Sequence, residues 1–111
     1  METTRQNKIS RLLQKDLGEI FQKNEQKMFQ GAMITVTKVH VTRDLSIAKV
    51  YLSIFSKDPQ NIIKIVEASG KEIRRLLGNR IKNQVKAIPE LRFYIDDSLD
   101  YIENIERLLK K

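Results

Sequence analysis

Residues 33–55 read MITVTKVHVTRDLSIAKVYLSIF, and this stretch decides the fold. In its second half Ala48, Val50, Leu52 and Ile54 alternate with Lys49, Tyr51 and Ser53. That two-residue period belongs to a strand with one buried face. In the first half, rich in β-branched residues, the apolar parity changes: Ile34 and Val36 are even, Val39 and Val41 odd. All four can face one core only if the strand carries an extra residue, so a β-bulge is predicted near Thr37–Lys38. Arg43-Asp44-Leu45-Ser46 connects the halves, with Asp44 a favourable turn residue. The stretch is a β-hairpin.

Working outward, residues 5–29 place Ile9, Leu12, Leu13, Leu17, Ile20 and Phe21 at three- and four-residue steps, which predicts one helix. Gly18 weakens it slightly and Gly31 marks its exit. After the hairpin, Asp58-Pro59 supplies an N-cap followed by proline at the first helical position. Ile62, Ile63 and Val66 form the stripe of that helix. The pattern crosses Ala68-Ser69-Gly70 and resumes as Ile73, Leu76, Leu77 and Ile81, with Val85 one turn further. Glycine inside a helix costs about 1 kcal/mol against alanine, so a kink is predicted there. Gly70 is expected to adopt a conformation, or make a close contact, that a side chain would disturb. Gly78 is a second soft spot.

Pro89 ends the helical region. Leu91, Phe93 and Ile95 then alternate with Arg92, Tyr94 and Asp96, a third strand. Asp97 or Ser98 caps a last predicted helix with Leu99, Ile102, Ile105 and Leu109 inside. The order is α-β-β-α-kink-α-β-α: an α+β fold, a single domain over residues 1–111, with a three-stranded mixed sheet and helices packed on one face.

The chain has 21 Lys+Arg against 14 Asp+Glu, a net charge of +7. Such a balance attracts polyanions, although it also serves plain solubility. Its placement is more informative. Residues 71–92 hold seven basic and two acidic residues, whereas residues 93–106 hold five acidic and no basic ones. There is no cysteine and one histidine, His40, which excludes disulfides, thiolate metal sites and multi-histidine centres. The start, METTRQNKISRLL, lacks the apolar core of a signal peptide, and no stretch approaches the ~18 apolar residues of a membrane span. The expectation is a cytoplasmic protein without membrane, cofactor or small-molecule substrate.

Lys71, Arg75, Lys82 and Lys86 fall at four-, seven- and four-residue steps after the kink, on the side opposite Ile73, Leu77, Ile81 and Val85. Arg74 flanks them. Free amides at a helix start attract phosphate and arginines add paired contacts, so this reads as a phosphate-tracking surface. The alternative is an ordinary solvated helix face. The outward sheet face offers Lys38, His40, Lys49 and Tyr51, where an aromatic ring among cations can stack unpaired bases. His40 alone reads as a surface residue. Asp96, Asp97 and Asp100 cluster, but helix capping explains Asp97 and no calcium-loop spacing is present. No Walker loop, dinucleotide fingerprint or nucleophile elbow appears, so no enzyme is expected.

Three stretches carry a family resemblance. The hairpin, with its threonine–valine pairs followed by Asp44-Leu45 and Ala48-Lys49-Val50-Tyr51, resembles that of the ribosome-binding factor A family. EASGKEIRRLLGNRI, residues 67–81, is similar to the family's helix-kink-helix, with Ala68-Ser69-Gly70 matching an Ala-x-Gly kink. IPELRFYIDDS, residues 88–98, resembles its Pro-Glu-Leu-x-Phe strand and acidic-serine step. The resemblance implies a type II KH-like fold. It implies a monomer that binds 16S ribosomal RNA in free small (30S) ribosomal subunits and assists their late maturation, including rRNA processing and growth in the cold.

Two features depart from the family pattern: a longer interval around Lys82 to Lys86, and no Asp-Pro step in Phe29 to Ala32. The Gly-x-x-Gly loop with which KH domains clamp backbone is also missing, and Ala68-Ser69-Gly70 stands in its place. The expected RNA contacts are Lys71, Arg74, Arg75, Arg80, Lys82 and Lys86, with Ala68, Ser69 and Gly70 admitting the RNA backbone and Lys38, Arg43 and Lys49 extending the surface. The rival reading is a protein-binding adaptor that docks a partner through its acidic last helix.

Overall fold

The computed structural model describes residues 3–96; the predicted last helix, with Asp97, Asp100 and Leu99 to Leu109, lies outside the described residues. Helix α1 spans Thr4–Lys23 and opens on a capping box. The Thr3 hydroxyl accepts from the Gln6 N–H at 3.1 Å, and the Gln6 side chain accepts from the Thr3 N–H at 2.8 Å. The single helix expected over residues 5–29 is broken. Asn24 leaves helical geometry at φ −106°, ψ 14°, and its side-chain amide donates to the Ile20 carbonyl at 2.7 Å. Helix α2 then spans Glu25–Phe29. The break has a packing cause. Eight residues of straight helix would separate Phe21 from Phe29 by about 12 Å along the axis, yet their ring centroids lie 5.3 Å apart and both are buried. The exit runs through Gln30 and Gly31, both at positive φ (56° and 79°).

Strands β1 (Met33–Val41) and β2 (Ile47–Phe55) pair antiparallel. The register shifts between Val36 and Lys38, which is the predicted bulge. Ile34, Val36, Val39 and Val41 are all buried as a result. The side-chain amides of Gln6 and Gln14 reach from α1 to β1 carbonyls: Gln6 to Val41 at 2.9 Å, Gln14 to Val36 at 3.2 Å.

Helix α3 (Pro59–Ala68) is capped by the Asp58 carboxylate, which accepts from the Asn61 N–H at 3.2 Å. Ser69, at φ −91° and ψ 8°, interrupts the run, and α4 spans Gly70–Ile81. The kink is where the sequence placed it. After this crossover β3 (Glu90–Ile95) returns parallel to β2, giving the mixed order β1-β2-β3. Ile62, Val66, Ile73, Leu77 and Ile81 close over the inner face, where Val50, Leu52 and Phe93 lie in one core with Leu13, Leu17 and Phe21 of α1.

Helix α4 stops at Ile81, before Val85, contrary to the apolar spacing. Lys82 is the C-cap and Lys86 lies in the bend that follows. The Arg74 guanidinium donates to the carbonyls of Ile88 at 2.7 Å and Pro89 at 3.4 Å, folding residues 82–89 back along α4. The return does not depend on glycine at Gly78: a Cβ there would meet the Ile88 side chain at 3.7 Å, an ordinary contact.

Candidate functional site

The junction of α3 and α4 faces the outer edge of β3. Ser69 donates backwards to Ile65 and Val66, at 2.9 and 3.1 Å, and among the described residues no side chain caps the start of α4. Between the junction and the strand lies a groove of about 330 Å³ lined by Glu67, Gly70, Leu91, Arg92, Phe93 and Tyr94. Gly70 does not behave as expected. Its φ is not positive, and a Cβ built on it would meet nothing within 4 Å. It satisfies no steric demand of the fold.

The basic residues fall into separate groups. Lys71 is exposed beside the junction. Arg75 is exposed too, but donates to Glu72 through two nitrogens at 3.0 and 2.5 Å. Each partner favours the other's charged form: Glu72 is held below the usual carboxylate range by the Arg75 hydrogen bond, and Arg75 is raised by Glu72. At the surface such a pair is weak, and a phosphate can compete for the arginine.

Arg74 is spent on the clasp to Ile88 and Pro89. Arg80 is withdrawn further. Its side chain, 28% exposed, bonds Asp16 at 2.9 Å and also Glu19, tying α4 to α1. Lys82 and Lys86 are exposed but lie beyond the helix end, so the expected line of four cations on one helix side is shortened to Lys71 and Arg75.

Lys38 and Lys49 lie on the outer sheet face, paired across strands with Tyr51 and His40, and Arg43 is exposed in the hairpin turn. These three do not join the junction groove. The sequence reading missed Arg92 and Tyr94. Arg92 lies beside Lys49 in register, bonds Glu90 at 2.8 Å and lines the groove. Tyr94 stacks on Tyr51 with centroids 5.4 Å apart. Their alternation was visible in the sequence, as was a mixed sheet; the β2 partner and register that set them beside Gly70 were not. Asp96 lies 2.6 Å from the Thr37 hydroxyl. Among the described residues no cluster of three metal-ligating side chains occurs, and no helix is long and apolar enough to cross a membrane.

A family model described as ribosome-binding factor A matches residues 5–109. The chain belongs to the ribosome-binding factor A family. The ribosome-binding factor A of Cytophaga hutchinsonii is 43% identical over 112 residues, a match that covers 100% of this chain and 84% of that protein. The crystal structure of ribosome-binding factor A from Thermus thermophilus superimposes with a TM-score of 0.68 at 20% identity, over 81% of this chain and 94% of that one. A Thermus thermophilus homology model, fitted into a cryo-EM map of a 30S complex of its ribosome-binding factor A, gives 0.61 at 20% identity, over 78% and 89%. The likeness fixes the α+β, KH-like fold of the family. Within it, Ala68-Ser69-Gly70 is the helix junction.

Proposed function

We propose that this chain is a non-enzymatic, monomeric, single-domain factor that binds 16S ribosomal RNA in free small subunits. There, in the cytoplasm, it assists late maturation, including rRNA processing and adaptation to cold. The observation that carries the reading is the junction itself. Its uncapped helix start carries an exposed Lys71 and an exposed Arg75, which share a recess with Arg74 and Ile88, and it borders a groove lined on the helix side by Glu67 and Gly70. Family membership and the 30S complex of the Thermus thermophilus protein support the choice of target.

In this reading the α4 amides, Lys71 and Arg75 take phosphates, Arg92 adds a cation in the groove it shares with Gly70 and Glu67, and Ala68 and Ser69 lie along the approaching backbone. Lys82 adds an outlying charge. Arg74 and Arg80 act through the fold by holding α4 in place. The outer-face cations Lys38 and Lys49, with Arg43, contribute long-range attraction more than contact.

The test is sedimentation of the protein with ribosomal particles from growing cells. The protein is expected on free small subunits and absent from translating ribosomes; an even spread across both, or no association, rejects the reading.

A further inference from the structure

A second and larger groove, about 720 Å³, runs between α1, the hairpin turn and the segment after α4. It shares no lining residue with the junction groove. Its floor is apolar: Ile9, Leu12, Leu45, Val85, Ala87 and Pro89. Ile9, Leu12, Leu45 and Val85 are only half-buried, although they pack against the core. Its rim carries Arg5, Lys8 and Lys86 against one carboxylate, Asp44. That carboxylate is already engaged inside the turn, where Thr42 Oγ1 and Ser46 Oγ donate to it at 2.8 and 2.7 Å.

Leu45 adds an independent observation. It closes the turn through its N–H to the Thr42 carbonyl at 2.8 Å, at φ 62°. Glycine or asparagine takes that conformation without the crowding a leucine suffers. This left-handed position places an apolar side chain in the groove wall.

We infer that this groove docks an amphipathic acidic segment of a protein partner. Its apolar side chains enter the floor and its carboxylates meet Arg5, Lys8 and Lys86. The chemistry favours a peptide over RNA. Among the described residues no aromatic ring lines the groove, so an unpaired base finds no stacking partner. An apolar trough with a cationic rim matches the two faces of an acidic amphipathic helix.

The test uses the full chain, isotope-labelled, and an amphipathic peptide of about 14 residues with leucines at i, i+3, i+4 and i+7 flanked by glutamates. Amide shifts are expected at Ile9, Leu12, Leu45, Val85 and Ala87. Binding should weaken at least about ten-fold in the Arg5→Glu/Lys8→Glu double variant, and likewise when lysines replace the peptide's glutamates. Leu45→Gly relieves the turn and keeps the fold, so it should lose peptide affinity while remaining fully folded. Absence of binding, equal binding of both peptides, or shifts confined to other residues overturns the inference. A uridine oligonucleotide that moves these amides while the acidic peptide does not assigns the groove to RNA, and overturns it equally.

Discussion

At Gly70 stability and binding can be pulled apart. Its backbone is compatible with alanine, and a methyl group there meets nothing within 4 Å. Gly70→Ala should therefore raise stability by about 0.4–1 kcal/mol, through a less flexible unfolded chain. If the junction admits the RNA backbone as proposed, the same methyl obstructs it, and co-sedimentation with small subunits should fall. A variant that is more stable and binds unchanged would show that the junction is not the contact. Arg75 and Arg80 look alike in the sequence but make a second contrast. Arg75→Ala removes an exposed pair and should leave stability nearly unchanged. Arg80→Ala strands Asp16, whose side chain is 12% exposed, and should cost about 1–3 kcal/mol in urea unfolding. Their difference could not be read from helical spacing, because the partners, Asp16 and Glu19, lie more than 60 residues away in α1.

Among the elements, β1 shows how much of the fold the sequence carried. The parity change from Ile34 and Val36 to Val39 and Val41 demanded a bulge, and the register shift lies between Val36 and Lys38. The kink at Ser69 was equally readable, because glycine interrupts an apolar stripe. The two helix ends were not. Phe29 continues the spacing of α1 and Val85 that of α4, so periodicity alone runs past both breaks. What overrides it is tertiary: the Phe21–Phe29 contact in one case, the Arg74 clasp to Ile88 and Pro89 in the other. At the candidate site, the junction and Lys71 were legible; Arg92 was not, because a mixed sheet leaves open which strand β3 pairs with and in what register. The amides that cover β1 were hidden as well. Gln6 serves both the α1 capping box and the Val41 carbonyl, so Gln6→Ala should cost about 1–2 kcal/mol in thermal or urea unfolding. A change near zero would mean that water replaces both contacts. The hairpin turn adds a pH dependence. Hydrogen bonds from Ser46 and Thr42 hold Asp44 below its ordinary value. Its stabilising effect is complete above the unfolded carboxylate range and is lost as pH falls through the lower folded value. Asp44→Asn should remove that part of the acid transition.

Over the whole molecule, a net charge of +7 attracts any polyanion, so a local site must be told apart from the global field by measurement. Three to five phosphate contacts imply a log–log salt slope of roughly −2 to −4.5, and a slope near zero would exclude phosphate tracking. Location requires charge reversal at matched places. Lys71→Glu with Arg75→Glu changes two exposed residues beside the junction. Arg11→Glu with Lys15→Glu makes the same change in net charge at two exposed positions on α1. A third pair, Lys82→Glu with Lys86→Glu, asks whether the cations beyond the helix end belong to the surface. If only the overall field matters, the three pairs weaken small-subunit binding alike. If the junction is the site, the first pair is much the worst, the third is intermediate, and the α1 pair follows the field alone. Circular dichroism and unfolding midpoints should be nearly unchanged in all three, since exposed substitutions shift stability by only about 0.5 kcal/mol. Equal losses in three folded variants would remove the junction as the site and leave RNA binding to the charge of the whole chain.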